Sequence, residues 1–169
     1  MSPADLNVII VSKESGVART LRMALRGVNV RNINLAVAQQ QMLEFFATVE
    51  PHALLVYVEA PENDEGRDLM RFVRRSPQSP NSRVPIIACS PRRDLATVHA
   101  VLNAGGHEYV LFPASGDALL KKIIAARTSN RPFIEQPDYT GPDRRRRDDK
   151  AFAGPERRAG RAKPAAEAG

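Results

Sequence analysis

The sequence predicts an α/β fold built on a parallel five-stranded sheet, and two observations support this prediction. Over the first 129 residues, short apolar runs alternate with longer segments whose apolar residues recur every three or four positions. This alternation is typical of a parallel sheet covered by helices. After about Asn130, Pro, Gly, Arg, Asp and Glu dominate the sequence. We therefore predict a domain over residues 1–129 and a tail over residues 130–169.

The five predicted strands are short runs rich in Val, Ile or Leu. The first run, which ends at Val11, is too short for a signal peptide or a membrane span, and no later stretch reaches the required length. We therefore expect a cytoplasmic protein without membrane insertion. The predicted strands are Asn7 to Val11, Val30 to Leu35, Ala53 to Val58, Pro85 to Cys89 and Glu108 to Phe112.

Five helices are predicted from apolar residues spaced three or four apart. In the first helix, the apolar side chains should face the sheet while the arginines face solvent. The predicted helices are Ser15 to Arg26, Ala38 to Thr48, Gly66 to Arg74, Leu95 to Asn103 and Ser115 to Arg127. The side chains of the first helix expected to face the sheet are Val17, Leu21, Met23, Ala24 and Leu25.

Residues at the ends of these elements support the assignment. Asp94 and Ser115 precede apolar runs, where their side-chain oxygens can accept hydrogen bonds from unpaired helix amides. Gly105 and Gly106 are expected to end the fourth helix by adopting positive φ. Pro113 should prevent the fifth strand from continuing.

Composition and charge narrow the possible classes of function. Cys89 is the only cysteine, which excludes an intramolecular disulfide and a cysteine cluster for zinc. The formal net charge of +6 points to anionic partners, although the position of the charge matters more than its total. We predict no metal and no cofactor.

The order of the predicted elements resembles the CheY-like receiver domain of response regulators. The motifs that carry the resemblance are Val8-Ile9-Ile10-Val11 in the first strand, Pro85-Ile86-Ile87 in the fourth, and residues 104–113 around the fifth. It covers roughly residues 5–129. The resemblance implies a doubly wound (βα)5 sheet whose functional edge lies at the carboxyl ends of the strands.

The positions that carry phosphoryl transfer in active receivers are substituted in this chain. Ser12 and Lys13 stand where the family has an acidic pair, and Tyr57 stands at the phosphoacceptor aspartate. Phe112 replaces the family lysine, whereas the hydroxyl residue after the fourth strand is kept as Ser90. Magnesium prefers carboxylate ligands, and Lys13 places a cation there instead. We therefore predict no catalytic residues and no metal-dependent phosphorylation.

Two further readings of this domain remain open. Glu14, Glu59 and Asp64 could form a shifted acidic site, although carboxylates at helix starts and in loops are ordinarily capping or solvating groups. Tyr109 aligns with the aromatic switch residue of CheY-like proteins. It is either a partly buried strand aromatic or a docking residue for a partner, such as a component of the flagellar motor.

The tail contains a repeated element. Two segments thirteen residues apart each read aromatic, small, Gly, Pro, acid, Arg, Arg, and a merely charged linker would need no such matched offsets. The first segment is Tyr139-Thr140-Gly141-Pro142-Asp143-Arg144-Arg145, and the second is Phe152-Ala153-Gly154-Pro155-Glu156-Arg157-Arg158.

These residue types suit a planar, anionic ligand that contains guanine. Arginine can bind guanine O6 and N7, pair with phosphate and stack on a base, while carboxylates can accept from the guanine N–H groups. Aromatic rings can stack on bases. The predicted ligand contacts are Tyr139, Gly141, Pro142, Asp143, Arg144, Arg145, Arg146, Arg147, Asp148, Asp149, Phe152, Gly154, Pro155, Glu156, Arg157 and Arg158.

Arg145 with Asp148, and Arg146 with Asp149, have an Arg-x-x-Asp spacing that resembles the cyclic di-GMP inhibitory site of diguanylate cyclases. Together with the receiver-like body and the repeat, this makes the chain similar to the CheY-like cyclic di-GMP effectors of the Cle family. The resemblance implies that an arginine-rich segment wraps cyclic di-GMP, as an intercalated dimer. We expect the tail to be disordered when free, to order on the ligand, and to relay binding to a protein partner.

Two alternatives for the tail stay open, namely binding of nucleic acid or another polyanion, and interaction with proteins only. Nine basic residues lie between Gly141 and Lys163 against four acidic ones. The interleaved acids weaken nonspecific binding to phosphate and favour a ligand that offers hydrogen-bond donors.

Overall fold

The computed structural model describes residues 2–61 and 64–144. Its main body is a five-stranded parallel sheet in the order β2-β1-β3-β4-β5, covered by five helices. The strands are β1 (Asn7–Val11), β2 (Asn32–Ala36), β3 (Ala53–Tyr57), β4 (Ile86–Ser90) and β5 (Glu108–Leu111). The helices are α1 (Ser15–Gly27), α2 (Gln39–Thr48), α3 (Glu65–Arg75), α4 (Leu95–Asn103) and α5 (Gly116–Thr128). Within the described residues, no helix is both long enough and apolar enough to cross a membrane.

The sheet is doubly wound, as the resemblance to receivers implies. Side chains alternate along each strand, so Val8 and Ile10 lie on one face and Ile9 and Val11 on the other. The first face packs against α1 and α5, and the second packs against α2, α3 and α4. Two hydrophobic layers therefore enclose the sheet. The loops lie at its two remaining sides, the amino-terminal edge and the carboxyl edge, where the parallel strands begin and end.

All predicted boundaries of the five strands and five helices lie within two residues of the observed ones, and β1 and α4 match at both ends. One predicted core position is wrong, because Met23 is 66% exposed. The buried stripe of α1 is Ala18, Leu21 and Leu25, spaced three and four residues apart. Met23, two residues after Leu21, lies on the opposite side of the helix.

The predicted caps are confirmed. Asp94 accepts a hydrogen bond from the Thr97 amide at 2.8 Å, and Ser115 accepts one from the Ala118 amide at 3.2 Å. Gly105 has a φ of +93°, as expected after α4. Gly106 does not share this conformation, so that part of the prediction is wrong. A Cβ on Gly106 would lie only 2.9 Å from side-chain atoms of Met70 and Val101, so packing explains this glycine.

The described part of the tail contains an unexpected antiparallel hairpin. Strand β6 (Phe133–Gln136) pairs with β7 (Tyr139–Pro142), so the prediction that the chain lacks structure from residue 130 onward is wrong for these residues. The hairpin gains stability from the body rather than from its own composition, because Tyr139 is only 5% exposed. Residues 145–169, which carry the rest of the predicted tail, lie outside the described residues.

The hairpin lies at the amino-terminal edge of β4 and β5. Its neighbours are Gly105, which precedes β5, and Arg74 at the end of α3. The positions that align with receiver phosphorylation residues lie at the carboxyl ends of the strands instead. Strand β4 separates the two edges by five residues, or about 16 Å at about 3.3 Å per residue.

Candidate functional site

The substituted receiver positions come together at the carboxyl edge of the sheet. Tyr57 ends β3 and Phe112 follows β5, and their rings meet edge to face with centroids 5.8 Å apart. Ser12 follows β1, and Ser90 ends β4. Two aromatic rings thus lie at the positions that the resemblance aligns with the aspartate and the lysine of active receivers.

The polar residues at this edge are engaged in local contacts. Lys13 Nζ lies 2.5 Å from Glu65 in an exposed ion pair. The Ser12 hydroxyl accepts a hydrogen bond from the Glu14 amide at 3.1 Å, and the buried Ser90 hydroxyl accepts one from the Arg92 amide at 3.3 Å. These hydroxyls therefore stabilise the turns that follow β1 and β4.

The surroundings of Tyr57 keep its phenol protonated. Burial raises the pKa of Tyr57, and the nearby carboxylates of Glu59, Glu14 and Asp64 raise it further. A protonated phenol is a poor nucleophile. The side chain at the position that the resemblance aligns with the phosphoacceptor is therefore neither a carboxylate nor ionised.

A cleft of about 650 Å³ opens beside this edge, and it contains the residues of the possible shifted acidic site. Asp64 is fully occupied by backbone donors. One carboxylate oxygen accepts from the amides of Glu59 (2.7 Å) and Ala60 (3.1 Å), and the other accepts from the amide of Arg67 (3.1 Å). Asp64 therefore caps α3. In the described part of the chain, no three acidic, His or Cys side chains are grouped to hold a metal.

Tyr109 lies on β5 near the same edge. Its ring is partly buried against the core formed with α2, α3 and α4, and its hydroxyl donates to the carbonyl of Arg92 at 2.5 Å. The structural reading of Tyr109 is therefore confirmed. Its role in docking a partner stays a prediction.

At the opposite edge, the hairpin is held by a buried cation. Arg74 is 3% exposed and donates to the carbonyls of Gly105 (2.9 Å), Ser82 (2.6 Å) and Val84 (2.9 Å). Its remaining Nη lies 3.0 Å from Nδ1 of His107. Burial lowers the pKa of Arg74 to about 9. The guanidinium thus joins α3 to the loops before β4 and β5.

His107 is neutral in this setting. Burial lowers its pKa to about 3, and the positive charges of Arg74 and Arg131 act in the same direction. Its Nδ1 accepts from the Ile86 amide at 3.1 Å as well as from Arg74. Because Nδ1 accepts from two donors, the neutral ring carries its proton on Nε2.

Further contacts tie the hairpin to the body. The guanidinium carbons of Arg74 and Arg83 lie 5.5 Å and 5.2 Å from the centre of the Phe133 ring. Arg83 also pairs with Glu135 at 3.3 Å. Arg131, before β6, pairs at 3.1 Å with Glu108, whose side chain is nearly buried.

The start of the arginine-rich segment is fixed by Tyr139. The Tyr139 hydroxyl donates to the carbonyl of Pro142 at 2.6 Å, and the guanidinium carbon of Arg144 lies 4.1 Å from the ring centre. Arg144 also donates to the side-chain oxygen of Asn103 at the end of α4. In this arrangement Arg144, not a base, stacks on Tyr139, so stacking of a base there would require Arg144 to move.

The structure describes five of the predicted ligand residues. Gly141 and Pro142 are buried in the hairpin, whereas Asp143 is half-buried and Arg144 is exposed. The contacts of all these residues with a ligand remain predictions. The others lie outside the described residues: Arg145, Arg146, Arg147, Asp148, Asp149, Phe152, Gly154, Pro155, Glu156, Arg157 and Arg158.

The sequence reasoning missed the hairpin and the residues that anchor it. One signal was present, because Pro137-Asp138 is a typical turn pair and stands between two short segments that each begin with an aromatic residue. The role of Arg74 had no such signal, since an arginine near a helix end is usually exposed.

Comparison with known proteins supports the arrangement of the five-stranded sheet and its helices. No protein-family model matches the sequence. The KDP operon transcriptional regulatory protein KdpE of Escherichia coli K12 is 30% identical over 140 residues, which cover 79% of this chain. The chain spans only 59% of the length of KdpE.

Two solved structures are similar at lower identity. A protein of Chloroflexus aurantiacus J-10-fl described as a response regulator superposes with a TM-score of 0.62 at 24% identity, over 73% of this chain and 98% of that one. The signal receiver domain of a modulated diguanylate cyclase from Desulfovibrio desulfuricans G20 gives a TM-score of 0.58 at 20% identity, over 73% and 94% of the two chains.

The sheet order and the two helical layers define a doubly wound α/β domain. The comparisons narrow this class to the receiver fold of response regulators, CheY-like in topology. Within that fold, Tyr57 and Phe112 meet at the carboxyl ends of β3 and β5.

Proposed function

We propose that this chain is a non-enzymatic cyclic di-GMP effector, in which ligand binding by the arginine-rich segment replaces phosphorylation as the switch. The observation that carries the proposal is the doubled aromatic-small-Gly-Pro-acid-Arg-Arg element. Its first copy begins in β7, where the ring of Tyr139 and the side-chain oxygen of Asn103 hold Arg144 at the surface.

The carboxyl edge of the sheet supports the loss of phosphorylation chemistry. Tyr57 is a protonated phenol in contact with Phe112, and Lys13 is paired with Glu65. An incoming phosphoryl group would find neither a carboxylate acceptor nor the oxygen ligands that magnesium needs. A receiver body without this chemistry needs another input.

The chemistry of the tail supplies an input that recognises guanine. Arginines can bind the Hoogsteen edge of guanine and the phosphodiester groups, while Asp148 and Asp149 can accept from its N1–H and N2–H. The two copies of the element match a ligand with two equivalent halves, bound as an intercalated dimer. Residues after Arg144 would order around this ligand, and the ordered segment would alter the surface offered to a protein partner.

Calorimetric titration of the full chain with cyclic di-GMP tests the proposal, with GTP and a short DNA duplex as competitors. We expect binding that neither competitor displaces. Arg145→Ala and Arg158→Ala should each weaken it by about 1.5–3 kcal/mol, or roughly 10- to 100-fold, if charged hydrogen bonds are lost. Arg19→Ala, which removes the same charge from the exposed side of α1, is the matched control.

The competing function as a nucleic-acid or polyanion adaptor makes a different prediction. It requires tight binding to unrelated oligonucleotides and an affinity that falls steeply with salt. A chain that binds duplex DNA but not cyclic di-GMP would replace our proposal with that alternative.

The partner we propose is a component of the flagellar motor switch, and Tyr109 is the candidate docking residue. Co-sedimentation of the full chain with purified motor switch protein, with and without cyclic di-GMP, tests this step. We expect association to depend on the ligand and to weaken in Tyr109→Ala. Equal association with and without the ligand would exclude this relay.

A further inference from the structure

A basic concavity lies where the described part of the tail leaves the body. Its volume is about 590 Å³, within the range of small-molecule sites. It is formed by α3, the end of α4, and the hairpin. Its lining residues are Arg71, Arg75, Asn103, Ala104, Asp138, Tyr139, Thr140 and Arg144.

The lining combines three guanidinium groups with a single carboxylate, that of Asp138. Arg71 and Arg75 are four residues apart on α3, so their side chains lie on the same face of the helix. Both are exposed, and Arg144 reaches the concavity from the other side, at the end of β7. The concavity is therefore positively charged from two separate elements of the fold.

Ordinary structural roles explain each arginine of α3 only in part. Arg71 pairs with Asp68 at 3.2 Å, but this pair is exposed and such pairs contribute little to stability. Arg75 lies in the last turn of α3, where a cation is favourable for the helix dipole. Neither role requires both arginines to face Arg144 across a concavity, where like charges repel.

Arg144 has donors left for a ligand. One face of its guanidinium covers the Tyr139 ring, and one N–H binds Asn103. A guanidinium carries five N–H donors, and it binds phosphate oxygens in a bidentate geometry. Arg144 is also the first of four consecutive arginines, so the arginine-rich segment begins at the rim of the concavity.

We infer that the receiver body contributes its own phosphate subsite, in which Arg71, Arg75 and Arg144 bind one phosphodiester group of the cyclic dinucleotide. The inference rests on the proposed function and deepens it. The body holds the phosphate, and the segment that follows Arg144 supplies the groups that read guanine. The subsite places the ligand against α3 and the end of α4, at the edge of the sheet opposite Tyr57.

The test compares two double variants of the full chain by titration with cyclic di-GMP. Arg71→Gln with Arg75→Gln removes two of the three positive charges of the concavity, whereas Arg19→Gln with Arg26→Gln removes the same charge from exposed positions of α1. We expect the first pair to weaken binding at least tenfold and the second to change it less than twofold. Arg71→Lys with Arg75→Lys keeps the charge but not the bidentate geometry, and should fall between them.

The outcomes separate the inference from the proposed function. A wild-type chain that fails to bind cyclic di-GMP overturns the proposed function itself. If the wild type binds and the α3 double variant binds equally well, the subsite alone is overturned. The same holds if the α3 and α1 double variants weaken binding equally. The subsite is also overturned if Arg71→Gln with Arg75→Gln abolishes binding to a DNA duplex but leaves the affinity for cyclic di-GMP unchanged. The concavity would then bind a nucleic-acid backbone.

Discussion

Gly105 and Gly141 meet with no room for a side chain on either residue. A Cβ on Gly141 would lie 2.8 Å from the Cα of Gly105, and a Cβ on Gly105 would lie 2.6 Å from the carbonyl oxygen of Thr140. This contact joins β7 to the loop between α4 and β5. The hairpin is thus seated on backbone atoms that cannot shift as a flexible side chain can.

We expect Gly141→Ala to destabilise the fold by about 1–3 kcal/mol, the usual cost of overpacking. Gly105→Ala should cost more, because its φ of +93° also disfavours a side chain. Urea denaturation measures both. Gly16→Ala is the control, since a Cβ there meets nothing within 4 Å, and its stability should be unchanged or slightly higher. A stable Gly141→Ala variant with an intact hairpin would contradict the packing described.

Arg74→Met should lower the free energy of unfolding by roughly 2–4 kcal/mol, because two buried carbonyls and one part-buried carbonyl lose their donor while the apolar stem is kept. Arg74→Lys should also be destabilising, since one ammonium cannot satisfy the same spread of acceptors. Arg19→Met, at an exposed position, serves as the control. Equal stability of the Arg74 and Arg19 variants would show that Arg74 is not needed to join α3 to these loops.

His107 should make stability depend on pH. Its pKa is lowered from 6.5 to about 3 in the folded chain, so between these values only the unfolded chain takes up the proton. The stabilisation is complete above pH 6.5 and is lost as the pH falls toward 3, with about 2 kcal/mol lost by pH 5.

Denaturation of the wild type and of His107→Asn at pH 7.5 and 5 isolates this contribution, because asparagine keeps an acceptor but does not titrate. The wild type should lose more stability than the variant over this interval. His99→Asn, at an exposed position on α4, should behave like the wild type. A His107→Asn variant with the wild-type pH dependence would contradict the assignment.

The carboxyl edge should not be phosphorylated even when an aspartate is restored at position 57. Incubation with acetyl phosphate and magnesium, followed by intact mass measurement, should detect no phosphorylated wild-type chain. Tyr57→Asp alone should also fail, because Lys13 and Phe112 still occupy the magnesium and lysine positions. Labelling should require Ser12→Asp, Lys13→Asp and Phe112→Lys as well. Stable labelling of the wild type would contradict our account of this edge.

The body of the fold was predictable because its signals are local. Runs of Val, Ile and Leu defined the strands, and Asp94 and Ser115 defined two helix starts, since a cap depends only on nearby residues. Tyr57 and Phe112 were predicted at one edge from the resemblance, and they do meet there.

The hairpin was not predictable for a physical reason. Phe133 and Tyr139 are isolated aromatic residues in a polar stretch, without the alternation that marks a strand. Their stabilisation comes from Arg74, Arg83 and a glycine contact, all of which are distant in sequence. The basic concavity was missed likewise, because Arg71 and Arg144 become neighbours only after folding.

Helix α4 connects the two ends of the molecule. Its last residue, Asn103, binds Arg144, and its capping residue, Asp94, pairs at 2.8 Å with Arg92, whose carbonyl holds Tyr109. Nine residues of helix span about 13 Å between these contacts. A ligand that draws Arg144 away from Asn103 would release the carboxyl end of α4. The amino end of the same helix lies beside the ring of Tyr109. Under the proposed function, α4 would therefore carry an input at the tail to the surface around Tyr109.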